Sequence, residues 1–268
     1  MNTKTPSTIA ARTIVAVVFI LSSAIFSGCS KTHKSILVEQ IEITPNSLET
    51  IVGQSLDVSI STLPANATNA GELTVSATKP EIATYENGKV TGVSAGSTTL
   101  TAICGAVRNT ANIKVYWYLT KNNTSYPIKD ASGYKYFMGS PEVDAYDVTF
   151  SDGTERLRIW IPAKVLGKTI DVSKPLPELD EDHFTCFLDS HRNENEDEIS
   201  LWMNETSAPI FRNNEWDILP ITATGTFCLN FIPSVGYVAD IDVHLSNGQK
   251  WFLHYEGPIA TKDEGEKS

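Results

Sequence analysis

The sequence predicts an all-β chain of two sheet-built domains behind an export segment, and three observations carry that expectation. Apolar residues alternate with polar ones at Leu56, Val58 and Ile60, at Leu100, Ala102 and Cys104, and at Ile113, Val115 and Trp117. This is the period of two expected of half-buried strands. The dipeptides Asn87-Gly88, Asp152-Gly153 and Asn247-Gly248 each interrupt such alternation, and all three favour tight hairpin turns. No helical period runs through residues 36–116. At 268 residues and 41% hydrophobic content, the chain is long and apolar enough to build two cores.

Taken in order, the chain starts with an export signal. Lys4 and Arg12 precede an uncharged run from Thr13 to Phe26. That run is shorter than the ~20 residues a membrane-spanning helix needs, so residues 1–28 read as a cleaved signal peptide. It ends at Ser27-Gly28-Cys29, which resembles the lipobox of bacterial lipoproteins. The resemblance implies cleavage before Cys29, acylation of that cysteine and anchoring through lipid. It also favours the outer membrane, because Ser30 is not the aspartate that retains lipoproteins at the inner one. Lys31, His33 and Lys34 are not the acidic run associated with surface export in Bacteroides-like bacteria, so the cell-surface and periplasmic faces both stay open. An ordinary signal with an incidental cysteine is the alternative. Residues 29–36 are then a tether.

Residues 37–116 read as short strands between turns. A type I′ turn at Asn87-Gly88 sets Glu86 opposite Lys89 and Tyr85 opposite Val90, a charge pair and an apolar pair. "ITPNSLETIVGQSL" and "KPEIATYENGKVTGVSAGSTTLTA" resemble the bacterial immunoglobulin-like group 2 domain through Pro45, Val52-Gly53, Asn87-Gly88-Lys89-Val90 and Ala95-Gly96. Val75 stands where that family often has tryptophan, and Tyr85 where it has a small aliphatic. The resemblance implies an Ig-like β-sandwich that serves as a spacer or adhesion module and has no catalytic site.

Residues 117–133 are rich in turn formers and read as a domain junction. The C-terminal domain, residues 134–260, contains two similar segments, "VDAYDVTFSDGTERLRIWIP" and "VADIDVHLSNGQKWFLHYEGP". With two-residue loops, Val148, Phe150, Leu157 and Ile159 share one face and Asp147 opposes Arg158. In the second hairpin, Ile241, Val243, Leu245 and Phe252 fall together, with Trp251, Leu253 and Tyr255 on the reverse face. A second β-sandwich or a partly closed β-barrel follows, and residues 261–268 read as a disordered tail. The closing segment "GYVADIDVHLSNGQKWFLHYEGPI" resembles the last hairpin of C-terminal β domains in Bacteroidetes lipoproteins.

The functional candidates are few. Net charge is -11, from 21 Lys+Arg against 32 Asp+Glu, and most of the acid lies beyond residue 117, so a nucleic-acid partner is excluded. "ELDEDHFTCFLDSHRNENEDEIS" holds Asp180, Glu181, Asp182, His183, Asp189 and His191, but no calcium-loop glycine and no zinc spacing, so no metal or cofactor is expected. Nucleophile-elbow, zinc-hydrolase and phosphate-loop motifs are missing, and the chain is not expected to be an enzyme. The acylated Cys29 leaves three cysteines; Cys104 shares the phase of a core strand, and a Cys186–Cys228 disulfide is a candidate. Trp202 and Trp216, with Asn204, Glu205 and Asp217 nearby, are candidates for an aromatic ligand platform, against the commoner reading as core tryptophans. The partners expected are the membrane, through the N-terminal lipid, and a protein or polysaccharide. The reading is a lipid-anchored envelope protein for adhesion or macromolecular binding. Its rivals are a glycan-binding accessory lipoprotein of a nutrient-uptake system and a hydrolase with an unrecognised site.

Overall fold

The computed structural model describes residues 34–138, 143–174, 186–192, 198–202, 208–212 and 215–263. Cys29, the signal segment and Asp180–His183 lie outside them. The regular structure in these residues is strand, apart from two single-turn 3₁₀ segments at Ala70–Glu72 and Ala163–Val165.

The N-terminal domain contains β1 (Gln40–Thr44), β2 (Ser47–Ile51), β3 (Ser55–Asp57), β4 (Ser59–Leu63), β5 (Thr74–Ala77), β6 (Ala83–Glu86), β7 (Lys89–Gly92), β8 (Gly96–Cys104) and β9 (Val107–Tyr116). One sheet runs β2-β9-β8-β5, and β3-β7-β6 together with β1-β4 supplies the opposing layer. Alternation decides which side chains meet between the layers: Leu48, Val58, Val90, Leu100, Ala102, Cys104, Ile113 and Val115 are all buried. β1 pairs with β4, and the chain then changes sheet at Pro45-Asn46, so that β2 lies parallel to β9. Proline has no N–H for the β4 ladder, which fits the pairing ending there.

The Asn87-Gly88 turn has the expected form, with φ of +50° and +77° and with Glu86 opposite Lys89 and Tyr85 opposite Val90. The charge pair differs from expectation. Lys89 Nζ lies 2.6 Å from Asp57 on its other neighbour, β3, and not on Glu86. Both groups are exposed, so the pair adds at most about 1 kcal/mol.

The C-terminal domain contains β10 (Tyr118–Lys121), β11 (Thr124–Pro127), β12 (Asp130–Met138), β13 (Val143–Ser151), β14 (Glu155–Pro162), β15 (Ile170–Asp171) and β16 (Phe187–Arg192). It continues with β17 (Glu198–Trp202), β18 (Ala208–Arg212), β19 (Glu215–Ile221), β20 (Ala223–Ile232), β21 (Gly236–Leu245), β22 (Lys250–Gly257) and β23 (Ala260–Asp263). A six-stranded sheet, β11-β10-β22-β21-β20-β15, packs on an eight-stranded one, β19-β18-β17-β16-β14-β13-β12-β23. Among the described residues neither sheet closes on itself, so the domain is a sandwich and not a barrel. The two similar segments form β13–β14 in one sheet and β21–β22 in the other. They meet across the core, where the Phe150 and Tyr255 rings are 5.1 Å apart.

Two hairpins differ from the simple two-residue turn. Around Asp152-Gly153, the Asp152 carboxylate accepts the N–H groups of Thr154 and Glu155, both at 2.7 Å, which lengthens the loop. Phe150 then pairs with Leu157 and Val148 with Ile159, a shift of two that leaves every side chain on its expected face. Arg158 sits opposite Thr149 and reaches Asp147 diagonally.

At Asn247-Gly248 the loop has three residues. Leu245 N–H bonds Gln249 O, and Gly248 takes φ +89°. Three-residue loops of this kind end in a left-handed residue, which Gly248 supplies. The shift is therefore one residue, which exchanges the faces of β22. Trp251 and Leu253 pair with Val243 and Ile241 and enter the core, both 1% exposed, whereas Phe252 lies outside at 38%.

Residues 117–133, expected as a junction, are built into the second domain as β10, β11 and the start of β12. Asn122 and Asn123, with φ of +52° and +68°, make the β10–β11 turn. Trp117 is the single residue between β9 and β10. Instead of closing the N-terminal core, as its phase with Val115 implies, it packs against the C-terminal one. The expected tail begins as β23, which pairs in parallel with β12.

Candidate interaction surface

The residues singled out in the sequence fall in separate places. Cys186 is fully buried beside Leu188, while Cys228 is half-buried on the outer face of β20, out of phase with the buried Phe227 and Leu229. No disulfide joins them. Alternation sends one sulfur into the sandwich and the other away from it, which corrects the proposed bridge. Burial pushes the Cys186 thiol up to about 12. Burial and then the nearby Asp240 carboxylate raise Cys228. A raised thiol holds little thiolate at neutral pH, so neither is set up as a nucleophile.

Trp202 and Trp216 occupy β17 and β19. Trp216 pairs with Phe211, and Phe211 lies across from Glu198, four residues before Trp202. Positions 202 and 216 therefore share a face of the sheet, two strands and four residues apart, or about 16 Å from standard strand spacing and rise. Asp189, one of the acidic candidates, is buried and held by Arg158 Nη1 at 3.3 Å, and the same guanidinium grips Asp147 through two bonds of 2.7 and 2.5 Å. Lys121 Nζ lies 2.5 Å from Glu155, and both are almost fully buried. These carboxylates neutralise cations on inner strands of the sandwich. Among the described residues no group of three or more His, Cys, Asp or Glu side chains is arranged to hold a metal.

The built surface is the outer face of the six-stranded sheet, near the point where the two domains join. One cross-strand row runs Cys228, Asp240, His254 and Tyr118, each opposite the next. His254 Nδ1 is 2.6 Å from Asp240 and Nε2 is 3.5 Å from Glu256. The Trp117 ring meets His254 edge-on at 4.8 Å, and its indole N–H donates to Glu256 O at 2.7 Å. Tyr118 and Phe252 lie alongside, their rings 5.7 Å apart. Carboxylates, an imidazole and aromatic rings side by side on an outer sheet face are the groups that suit contact with an extended partner. A separate open cleft of about 530 Å³ lies on the N-terminal domain, lined by Glu49, Lys79, Thr99, Asn112 and Lys114 among others. The sequence reading missed the His254 row because the one-residue register change decides which β22 residues face out. The Asp240, Asp242, His244 alternation was the available signal.

The threading of the N-terminal domain is the other decisive geometry. Ile36 O accepts the Thr68 N–H at 2.7 Å, Val38 N–H donates to Asn69 at 2.9 Å, and Cys104 Sγ lies 3.2 Å from Asn69 O. The chain thus enters beside the β8–β9 turn and leaves from Tyr116, at the far end of β9. Residues 37–115 match the family model of the bacterial Ig-like domain (group 2). The Ig-like domain accounts for the first sandwich, and the match stops where Trp117 leads into the second.

Solved structures of the surface layer protein SbsC also show similarity. Domains 5-6 align at 13% identity and a TM-score of 0.25, over 83% of this chain and 98% of that one. Domains 4-9 align at 14% and 0.26, over 84% and 32%, and domains 1-6 at 13% and 0.26, over 68% and 25%. No curated protein matches the chain.

Proposed function

We propose that this chain is exported, acylated at Cys29 and held on the bacterial outer membrane, where the Ig-like domain spaces the C-terminal sandwich outward to bind a protein or polysaccharide without catalysis. The observation that carries the reading is the threading. Entry at one end and exit at the other make the domain a spacer, and the ten residues of β9 span about 34 Å at the usual strand rise. A single residue, Trp117, then joins the two sandwiches, and its indole is bonded into β22. A lipobox-like Ser27-Gly28-Cys29 at the start of a spacer fits a tethered binding module.

Metabolic labelling with palmitate and membrane fractionation test the anchor. Wild type should carry label and sediment with membranes, and Cys29→Ser should lose both. Cross-linking on intact envelopes then tests binding: a specific macromolecule should be captured by wild type and lost when His254 and Phe252 are both changed to Ala. Label-free, soluble mature protein would remove the anchor, and capture that is indifferent to the double variant would remove the binding face. A glycan-binding accessory role is the second reading, favoured by the shared face of positions 202 and 216 at a separation suited to several sugar units. A glycan array on which Trp202→Ala and Trp216→Ala bind like wild type would dismiss it.

A further inference from the structure

The end at which the chain enters the Ig-like domain carries an apolar surface that the fold does not use. Of the ten large apolar side chains exposed among the described residues, four are here: Ile36, Leu37, Leu63 and Ile103, with Leu37 the most exposed at 58%. Hydrogen bonds fix them to one end. Glu39 N–H donates to Leu63 O at 2.8 Å, which puts the last residue of β4 beside the incoming chain. The Thr68 and Asn69 bonds bring Ile36 and Val38 to the β8–β9 turn, which Ile103 precedes by two residues. Val38 points inward and is buried, and Leu37 on the alternate face is left outside. Folding has no use for these side chains in water, and several together mark a contact surface.

The occupant is suggested by the chain upstream. Ile36 follows Cys29 by only seven positions, at most about 25 Å of extended polypeptide. From Cys29 to Val38 the sequence has Lys31 and Lys34 and no acidic residue. Cationic side chains next to an aliphatic surface suit the headgroup region of a bilayer containing anionic lipid. Resting on the proposed acylation of Cys29, we infer that this end of the Ig-like domain sits on the lipid surface, with Leu37, Ile36, Leu63 and Ile103 in the interface. The lipid is then one of two attachments, and the second sets the spacer upright instead of letting it swing from the tether. A protein neighbour would not need the surface to face the anchor, and a membrane does.

The test uses the full mature lipoprotein in vesicles of phosphatidylethanolamine and phosphatidylglycerol. An environment-sensitive fluorophore is placed at Leu37→Cys, at Ile103→Cys or at Asn247→Cys, each with Cys228→Ser. Asn247 is the control because the β21–β22 turn lies at the end of the second domain away from Trp117. Nitroxide lipids with shallow labels should quench positions 37 and 103 at least threefold more than position 247, with a blue-shifted emission. Emission at 37 that matches 247 while the protein stays acylated and vesicle-bound overturns this inference alone. A blue shift at 37 without lipid quenching assigns the surface to a protein neighbour or a second copy, and also overturns it. Mass analysis that finds an unmodified Cys29 removes the anchor, and this inference with it.

Discussion

Truncating Trp251 and its neighbour Phe252 one at a time gives a direct test of the register at the last hairpin. Trp251 is 1% exposed in the core of the C-terminal sandwich, beside Val243, and Phe252 is 38% exposed on the outer face, touching Tyr118. Removing a fully buried tryptophan costs about 3–5 kcal/mol through lost transfer energy and the cavity left behind. Removing Phe252 forfeits a ring contact of about 0.5–1.5 kcal/mol and little burial. In a domain of this size each kcal/mol moves the melting temperature by roughly 2–4 °C, so Trp251→Ala should fall by ~6–20 °C and Phe252→Ala by a few degrees. Trp251→Phe separates packing from polarity. The buried indole N–H has no hydrogen-bond partner among the described residues, so losing it recovers part of the cost of the missing ring, and this variant should sit much nearer wild type than Trp251→Ala. Thermal and urea melts of the full chain, followed by near-ultraviolet circular dichroism, measure all three. If Phe252→Ala costs as much as Trp251→Ala, the three-residue loop at Gly248 is wrong and the strand faces the other way.

Other substitutions bear on neighbouring features. Arg158→Lys should lose about 1–3 kcal/mol in the same melts, because a lysine cannot hold Asp147 through two bonds while reaching Asp189, and wild-type stability would mean the two carboxylates do not need the fork. Gly225→Ala should abolish soluble expression or leave a molten product, since its Cβ would fall 2.0 Å from Asp242 O at φ +111°; a normal melt would show that β20 and β21 are farther apart. In native alkylation at pH 8, Cys186 should stay unmodified and Cys228 should react slowly, with a rate that climbs as pH rises through its elevated range; peptide mapping without reductant should yield no Cys186–Cys228 link. The raised Cys186 also implies a sign for stability. Its neutral burial helps the fold at pH 7–9, and the contribution is lost as pH climbs from about 9 toward 12, which alkaline melts of Cys186→Ala against wild type would register as a smaller pH slope.

The alternation of single strands was legible wherever one face met a core. Leu100, Ala102 and Cys104 are all buried as their phase requires, and the Asn87-Gly88 turn set the register of its hairpin without help from elsewhere. Loops that recruit side chains were not legible in the same way. Asp152 capping its own loop shifted one register by two with no change of face, whereas an extra residue before Gly248 shifted the other by one and carried Phe252 outward. Trp117 continued the phase of Ile113 and Val115, but which core it joined depended on β22, more than 130 residues later. The His254 row inherits that dependence. Its four members come from four strands, and only the paired sheet brings Cys228, Asp240, His254 and Tyr118 into line. The disulfide candidate is not formed for a simpler reason: Cys186 is buried in the core with Leu188, while Cys228 lies on the outer face of β20.

The parallel pairing of β2 with β9 has a mechanical consequence. Tension between the two ends of the Ig-like domain draws β2 toward the entry and β9 toward the exit, so the strands are pulled lengthwise past one another. The five rungs from Ser47 and Asn112 to Ile51 and Tyr116 then resist together, and none can be unzipped ahead of the rest. A domain wired in this way stays folded under a pull that would peel open a hairpin drawn from its two open ends.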